Sequence, residues 1–259
     1  MARLNRNFLH GALGPVVFKQ VGNVQFLTSK VKAGTMKQTK NTKKAANTFG
    51  MASRLGAQIR GSFENEIYTF RDTEMHSRLS AGLSTLLSHV RNLPKGSFNF
   101  ETQSFSPLIG FEFNEYSPLK KNMMANPTID VDAGKLTILF PDKELLQLVK
   151  FPAKAVYCEI VASVVLIRLE DGMRVQVPEQ QQLRVMKDHN KATGQSMIFD
   201  VPDGCCCIVG IFLQYFNDHF CLNSIKLNPG AICYATITPG VYAGTDPYFW
   251  IDMLGLKFG

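Results

Sequence analysis

The sequence predicts an α+β chain that is mainly β: a short N-terminal β-hairpin and two helices, followed by an antiparallel β-sandwich-like body. Three observations predict it. From residue 97 onward, β-rich runs alternate with turn signals at short intervals, the texture of a sandwich. Before residue 97, one segment carries a clear helical stripe of apolar residues. The composition, 45% hydrophobic and 19% charged, is that of a folding chain rather than a disordered one.

The hairpin is read from "GPVVFKQVGNVQFLTSK". Val16 to Phe18 and Val24 to Leu27 are the apolar runs, with Gly22 and Asn23 as the turn between them. A lysine-rich step follows, in which Gly34 and Thr35 loosen the chain. Thr39 or Thr42 is placed to cap a helix beginning near Lys43. Ala45, Phe49, Ala52, Leu55 and Ile59 fall near one face of that helix; Gly50, Gly56 and Gly61 weaken it by about 1 kcal/mol each against Ala. The second helix is clearer. Met75, Leu79, Leu83, Leu86, Leu87 and Val90 follow the i, i+3, i+4 rule, Asp72 or Thr73 is the expected N-cap, and Pro94 with Gly96 ends the element.

In the body, "SFNFETQSF" alternates like a strand. "NPTIDVDAGKLTILFPD" reads as two strands around Asp132-Ala133-Gly134, a short hairpin, and "DKELLQLV" as one helical excursion. "AVYCEIVASVVLIRL" and "CCCIVGIFLQYF" read as buried strands, and "FCLNSIKLNPGAICYATITPG" as two more around Asn228-Pro229-Gly230. The resulting division is a basic β-hairpin plus helical region at 1–96 and a β-sandwich-like domain at 97–259.

Charge is unevenly spread. Residues 1–63 hold eleven Lys and Arg and no acid, whereas 64–259 hold 17 basic and 21 acidic residues, a net of −4. Such asymmetry implies an anionic partner for the basic part or pairing between the parts. The densest stretch gives the candidate contacts with that partner: Lys30, Lys32, Lys37, Lys40, Lys43 and Lys44. Weak non-specific nucleic-acid binding is within reach of these lysines. Phe26 and Phe49 are the only aromatics flanking them, too few to stack successive bases.

No catalytic motif is found. There is no phosphate-binding glycine loop, no nucleophile elbow and no C-x-x-C pair. Asp130 and Asp132 share one face of a strand and read as the solvent face of an edge. Asp218, His219 and Cys221 lie close together and would need Asp188 or His189 to make a metal site. Tyr242, Tyr248 and Trp250 offer a possible sugar platform but fit packing of the last strand better. The six cysteines, three of them consecutive at 205–207, read as free thiols, since neighbours in a strand face opposite ways. The chain is therefore read as a non-enzyme with no cofactor and no metal. No secretion signal is recognised and no run approaches the roughly 20 apolar residues of a membrane helix, so a cytoplasmic or particle-bound location is expected.

One resemblance adds to this. "GALGPVVFKQVGNVQFLTSKVKAG" followed by "KKAANTFGMAS" resembles a family of uncharacterised Bacteroidetes proteins. In that family a basic β/helical segment precedes a β-sandwich-like region. The matching positions are Gly11, Gly14, Gly22, Asn23, Lys30 (where the family has Arg), Lys43, Lys44 and Phe49. The resemblance implies the architecture and a bacterial or phage-associated setting, and no activity. The functional expectation is a structural or interaction protein, with nucleic-acid binding through the basic region as the alternative.

Overall fold

A computed structural model describes residues 2–5, 7–32, 39–67, 70–92, 96–141, 148–178, 181–187 and 195–259. Gly34, Thr35, Lys37, Pro94, residues 142–147 of the expected helical excursion and the pair Asp188 and His189 lie outside the described residues. The chain forms two compact units, Met1–Ala46 and Asn47–Gly259.

The smaller unit holds β1 (Arg3–Asn5), β2 (Phe8–Leu13), β3 (Val16–Val21) and β4 (Val24–Ser29), an antiparallel meander in that order. The expected hairpin is β3 with β4; two further strands precede it. Helix α1 (Lys40–Ser62) begins in this unit and continues into the larger one. Thr39 caps it, its hydroxyl accepting the Thr42 N–H at 3.1 Å.

The larger unit continues with α2 (Glu64–Ile67), α3 (Met75–Val90), α4 (Leu119–Asn122), β5 (Thr128–Asp132), β6 (Lys135–Leu139), β7 (Tyr157–Arg168), β8 (Met173–Gln176), β9 (Gln181–Met186), β10 (Ser196–Asp200), β11 (Cys206–Phe216), β12 (Gly230–Ile237) and β13 (Ile251–Asp252). Its large sheet runs β12-β11-β7-β8-β13, with β9 beside the first half of β7; the small sheet runs β10-β6-β5.

The large sheet is buried on both faces. Ile160, Ala162, Val164 and Leu166 of β7 join Cys207, Val209, Ile211 and Leu213 of β11 against Leu136, Ile138, Met197 and Phe199 of the small sheet. Val161, Val165, Cys206, Ile208 and Phe212 point the other way, into a second core with Leu55 and Ile59 of α1 and Leu79, Leu83 and Leu87 of α3. Double burial is why β7 and β11 read as continuous apolar runs instead of alternating ones. The sandwich-like body thus carries a helical layer on its outer face. That layer explains why the compact units divide at 46/47, inside α1, and not at 96/97: both long helices bury their stripes on this sheet.

Three local expectations differ from the structure. "SFNFETQSF" is not a strand. Its phenylalanines pack instead, Phe98 and Phe100 each meeting the Phe258 ring edge-on at 5.2 and 5.7 Å, and Thr102 O accepts the Ile237 N–H along the margin of β12. Residues 221–229 form bridges and turns, leaving β12 as the only strand there. In α1 the buried face is Thr48, Ala52, Leu55, Gly56, Ile59 and Ser62, which turns Ala45 and Phe49 outward. Gly56 has a packing reason: an added Cβ would lie 3.3 Å from Leu83 Cδ1 of α3.

Candidate interaction surface

The smaller unit is built by turns and ladders. Gly22 has φ of 59° and Asn23 keeps a negative φ, so β3 and β4 are closed by a type II′ hairpin. Gly14 (φ 58°) with Pro15 repeats the device between β2 and β3. Gly11, at φ 104°, bends β2, so that His10 and earlier residues pair with β1 while Gly11 to Leu13 pair with β3. Amide side chains fill the break. Gln25 Oε1 accepts the Leu9 N–H at 2.8 Å, and its Nε2 donates to Leu9 O and Lys19 O, both at 2.9 Å. Gln20 bonds His10 at 2.9 Å and Gly22 O at 2.7 Å.

Among its described residues the unit has no core. None of its described residues is buried. The register puts Val17, Lys19, Val21, Val24 and Phe26 on one face and Leu13, Val16, Phe18, Gln20, Gln25 and Leu27 on the other. Leu13 is 61% exposed, Leu27 62% and Val21 68%, so apolar side chains meet solvent from both faces. Of the six candidate contacts, Lys30 and Lys32 follow β4 directly, and Lys40, Lys43 and Lys44 lie exposed on the first turns of α1. Across residues 1–46 the sequence has nine basic side chains and no acid.

In the larger unit, the other sequence candidates are placed as follows. Cys206 and Cys207 enter opposite cores, as strand alternation requires. Burial pushes Cys207 and Cys233 up to about 12 and Cys158 and Cys206 upward as well, keeping these thiols protonated; only Cys221 is exposed. Asp218 and His219 sit in an exposed turn where Asn217 Oδ1 accepts the N–H of His219 and Phe220. Among the described residues no cluster of three or more His, Cys, Asp or Glu could hold a metal ion. Tyr242 and Trp250 meet edge-on at 5.4 Å, and the Arg168 guanidinium lies over both, 4.1 and 5.0 Å from their centroids. Trp250 Nε1 also donates to Asp246 and Tyr248 Oη to Asp200 O, so these rings are engaged in packing. Of the three rings, Tyr242 borders a cleft of about 700 Å³ shared with Phe98, Phe100 and Phe258, where Arg168 is already paired with Asp171.

One group goes beyond its reading in the sequence, which placed Asp72 only as a candidate N-cap of the second helix; the N-cap position is Glu74. Asp72, buried, accepts from Arg78 at 2.5 Å and from the N–H of Glu74 and Glu115, while Arg78 donates to Glu112 O. The Glu112 carboxylate accepts the N–H groups of Leu119 and Lys120 at 2.7 and 3.3 Å. Burial pushes its carboxyl up, and those N–H groups oppose the shift. The cluster ties α3 to the segment before α4, so its role is structural; only the acidic residues spaced along 72–115 signalled it.

No family model, curated protein or solved structure matches this chain. Among the described residues no helix is long and apolar enough to cross a membrane.

Proposed function

We propose that this chain is a non-enzymatic interaction protein, a component of a phage-like or other multi-subunit assembly, that docks through residues 1–46 onto an acidic protein surface. One observation carries the reading: a four-stranded sheet with apolar side chains on both faces, none of them buried, in a segment with nine basic residues and no acid. Backbone ladders alone leave such a sheet marginal, and a sheet becomes stable when a face is covered. The charge selects what covers it. A neighbouring copy offers a suitable surface, since residues 64–259 carry a net −4.

Light scattering on the purified chain tests this. Particles heavier than one chain are expected at about 50 mM salt, with mass falling toward the monomer near 0.5 M as charges are screened. A strict monomer at about 1 mM protein in low salt overturns the reading.

A second reading has its own support. Lys40, Lys43 and Lys44 are exposed on the opening turns of α1, where the helix end is itself positive. Those lysines would neutralise phosphates without reading sequence. A salt titration on random duplex DNA decides it: affinity falls steeply with salt if the reading holds, and absence of binding near 50 mM removes it.

A further inference from the structure

An antiparallel sheet ends in strands with unpaired backbone groups, and proteins usually cover or charge them. In the larger unit most such edges are covered. The segment 102–113 lies along β12, donating Gly110 N–H to Ile232 O at 2.8 Å and Phe113 N–H to Gly230 O at 2.8 Å. The Gln181 side-chain amide bonds both the N–H and the carbonyl of Ile198 on β10, acting as a short strand of its own. β13 covers β8. β9 carries Arg184.

Two longer edges are left among the described residues: β4 in the smaller unit and β5 in the larger. Their free groups follow from their turns. In a two-residue hairpin the closing pair exchanges both hydrogen bonds, and bonded pairs then alternate along the ladder. On β4 the bonded positions are Val24, Phe26 and Thr28, and the Lys30 N–H to Pro15 O bond at 2.6 Å continues that series. The N–H and carbonyl groups of Gln25, Leu27 and Ser29 therefore point outward. On β5, Ala133 and Gly134 (φ 46° and 76°) close the Asp132–Lys135 pair. That leaves the groups of Ile129 and Val131 pointing outward.

The two edges complement each other. β4 has no charge within it and is followed at once by Lys30. β5 exposes Asp130 and Asp132 on one face and half-buries Ile129 and Val131 on the other. Set antiparallel, with Ser29 against Val131 and Val31 against Ile129, the outward backbone groups meet. Lys30 then falls opposite Asp130 and diagonal to Asp132, while Val31, 55% exposed, extends the apolar side of β5. The two carboxylates repel a second β5, whereas the mixed pair sets Lys30 among opposite charges.

The geometry points to β4 of one copy adding as a strand to the β5 edge of another, with Lys30 lying between Asp130 and Asp132 of that second copy. This rests on the docking reading above and names its partner surface. Because two different patches meet, the contact is head-to-tail and propagates, giving a ring or a filament rather than a two-fold dimer.

The test is a charge exchange in the full chain, read by light scattering in low salt. All the altered side chains are exposed, so folding is not at stake. Lys30→Glu and Asp130→Lys are each expected to weaken assembly about tenfold, and the double variant to restore it. Ser29→Pro removes an outward N–H without touching the β3–β4 ladder and should weaken assembly as well. Assembly that resists all three single variants, or a double variant that fails to recover, overturns this pairing while leaving the docking reading intact. Assembly that strengthens with salt shows pairing of like-charged units and also overturns it. A wild-type chain that never assembles removes both.

Discussion

β3 and β11 are both inner strands, each paired antiparallel on both sides. Every residue of β11 from Cys206 to Leu213 is buried, and no residue of β3 is. Both strands are hydrogen-bonded to a neighbour on each side, so the contrast in burial lies in what packs on the strand faces. β11 has a second sheet on one side and two helices on the other. β3 shows Val17 and Lys19 to one side and Val16 and Phe18 to the other, all at least partly open to solvent. Net stabilisation per backbone bond is only about 0.5–1.5 kcal/mol, so pairing without packing makes a strand that awaits a partner.

Phe212→Ala should give the largest effect. Phe212 lies 5.5 Å from the Phe113 ring and 5.6 Å from Phe63 in the helical core. Its loss should cost about 3–5 kcal/mol in denaturant unfolding. Phe18→Ala, in the corresponding inner strand β3, should stay within about 0.5 kcal/mol for the isolated chain. Equal costs would erase the contrast between the units. Gly230→Ala comes next: the new Cβ would stand 2.4 Å from Phe212 Cδ1, and the overpacking should cost about 1–3 kcal/mol, seen as a lower melting temperature. Tyr215→Phe deletes the bond from Tyr215 Oη to Lys150 O at 3.0 Å and should cost about 1 kcal/mol.

Glu112 gives a smaller, pH-dependent effect. Its folded carboxyl holds its proton more tightly than an unfolded one. The stability it contributes is therefore full below the unfolded value near 4.3 and is lost as pH rises through the folded value. Relative to Glu112→Gln, wild type should lose ground as pH rises above about 4.3; a difference that stays constant as pH rises would contradict the assignment. The smallest perturbation is chemical. A thiol reagent applied to the folded chain should modify Cys221 first, and the buried thiols of the larger unit only on unfolding.

The helix stripe of α3 and the long runs of β7 and β11 were legible because burial imposes a strict pattern on sequence. Met75, Leu79, Leu83 and Leu87 fall where the periodicity places them. β1 and β2 were not legible, since Gly11 and Gly14 interrupt the apolar pattern and the strands have no core to impose one. β9 escaped for a related reason: Gln181, Gln182 and Arg184 dominate its composition, while Leu183 and Val185 alone turn inward. Phe98 and Phe100 misled because two phenylalanines spaced by one residue suit a strand and an aromatic cluster equally. As for the candidate surface, the lysines and the absence of acid were visible in the sequence. The open edge of β4 and its match to β5 needed the turn geometry and register.

Amide hydrogen exchange on the full chain, dilute and then concentrated in low salt, tests the central claim most directly. In the dilute monomer, β1 to β4 should exchange far faster than β7 and β11, and they should gain protection as the chain assembles. Protection of β1 to β4 in the dilute monomer equal to that of β7 and β11 would show that the smaller unit is stable without a partner, and would contradict the account.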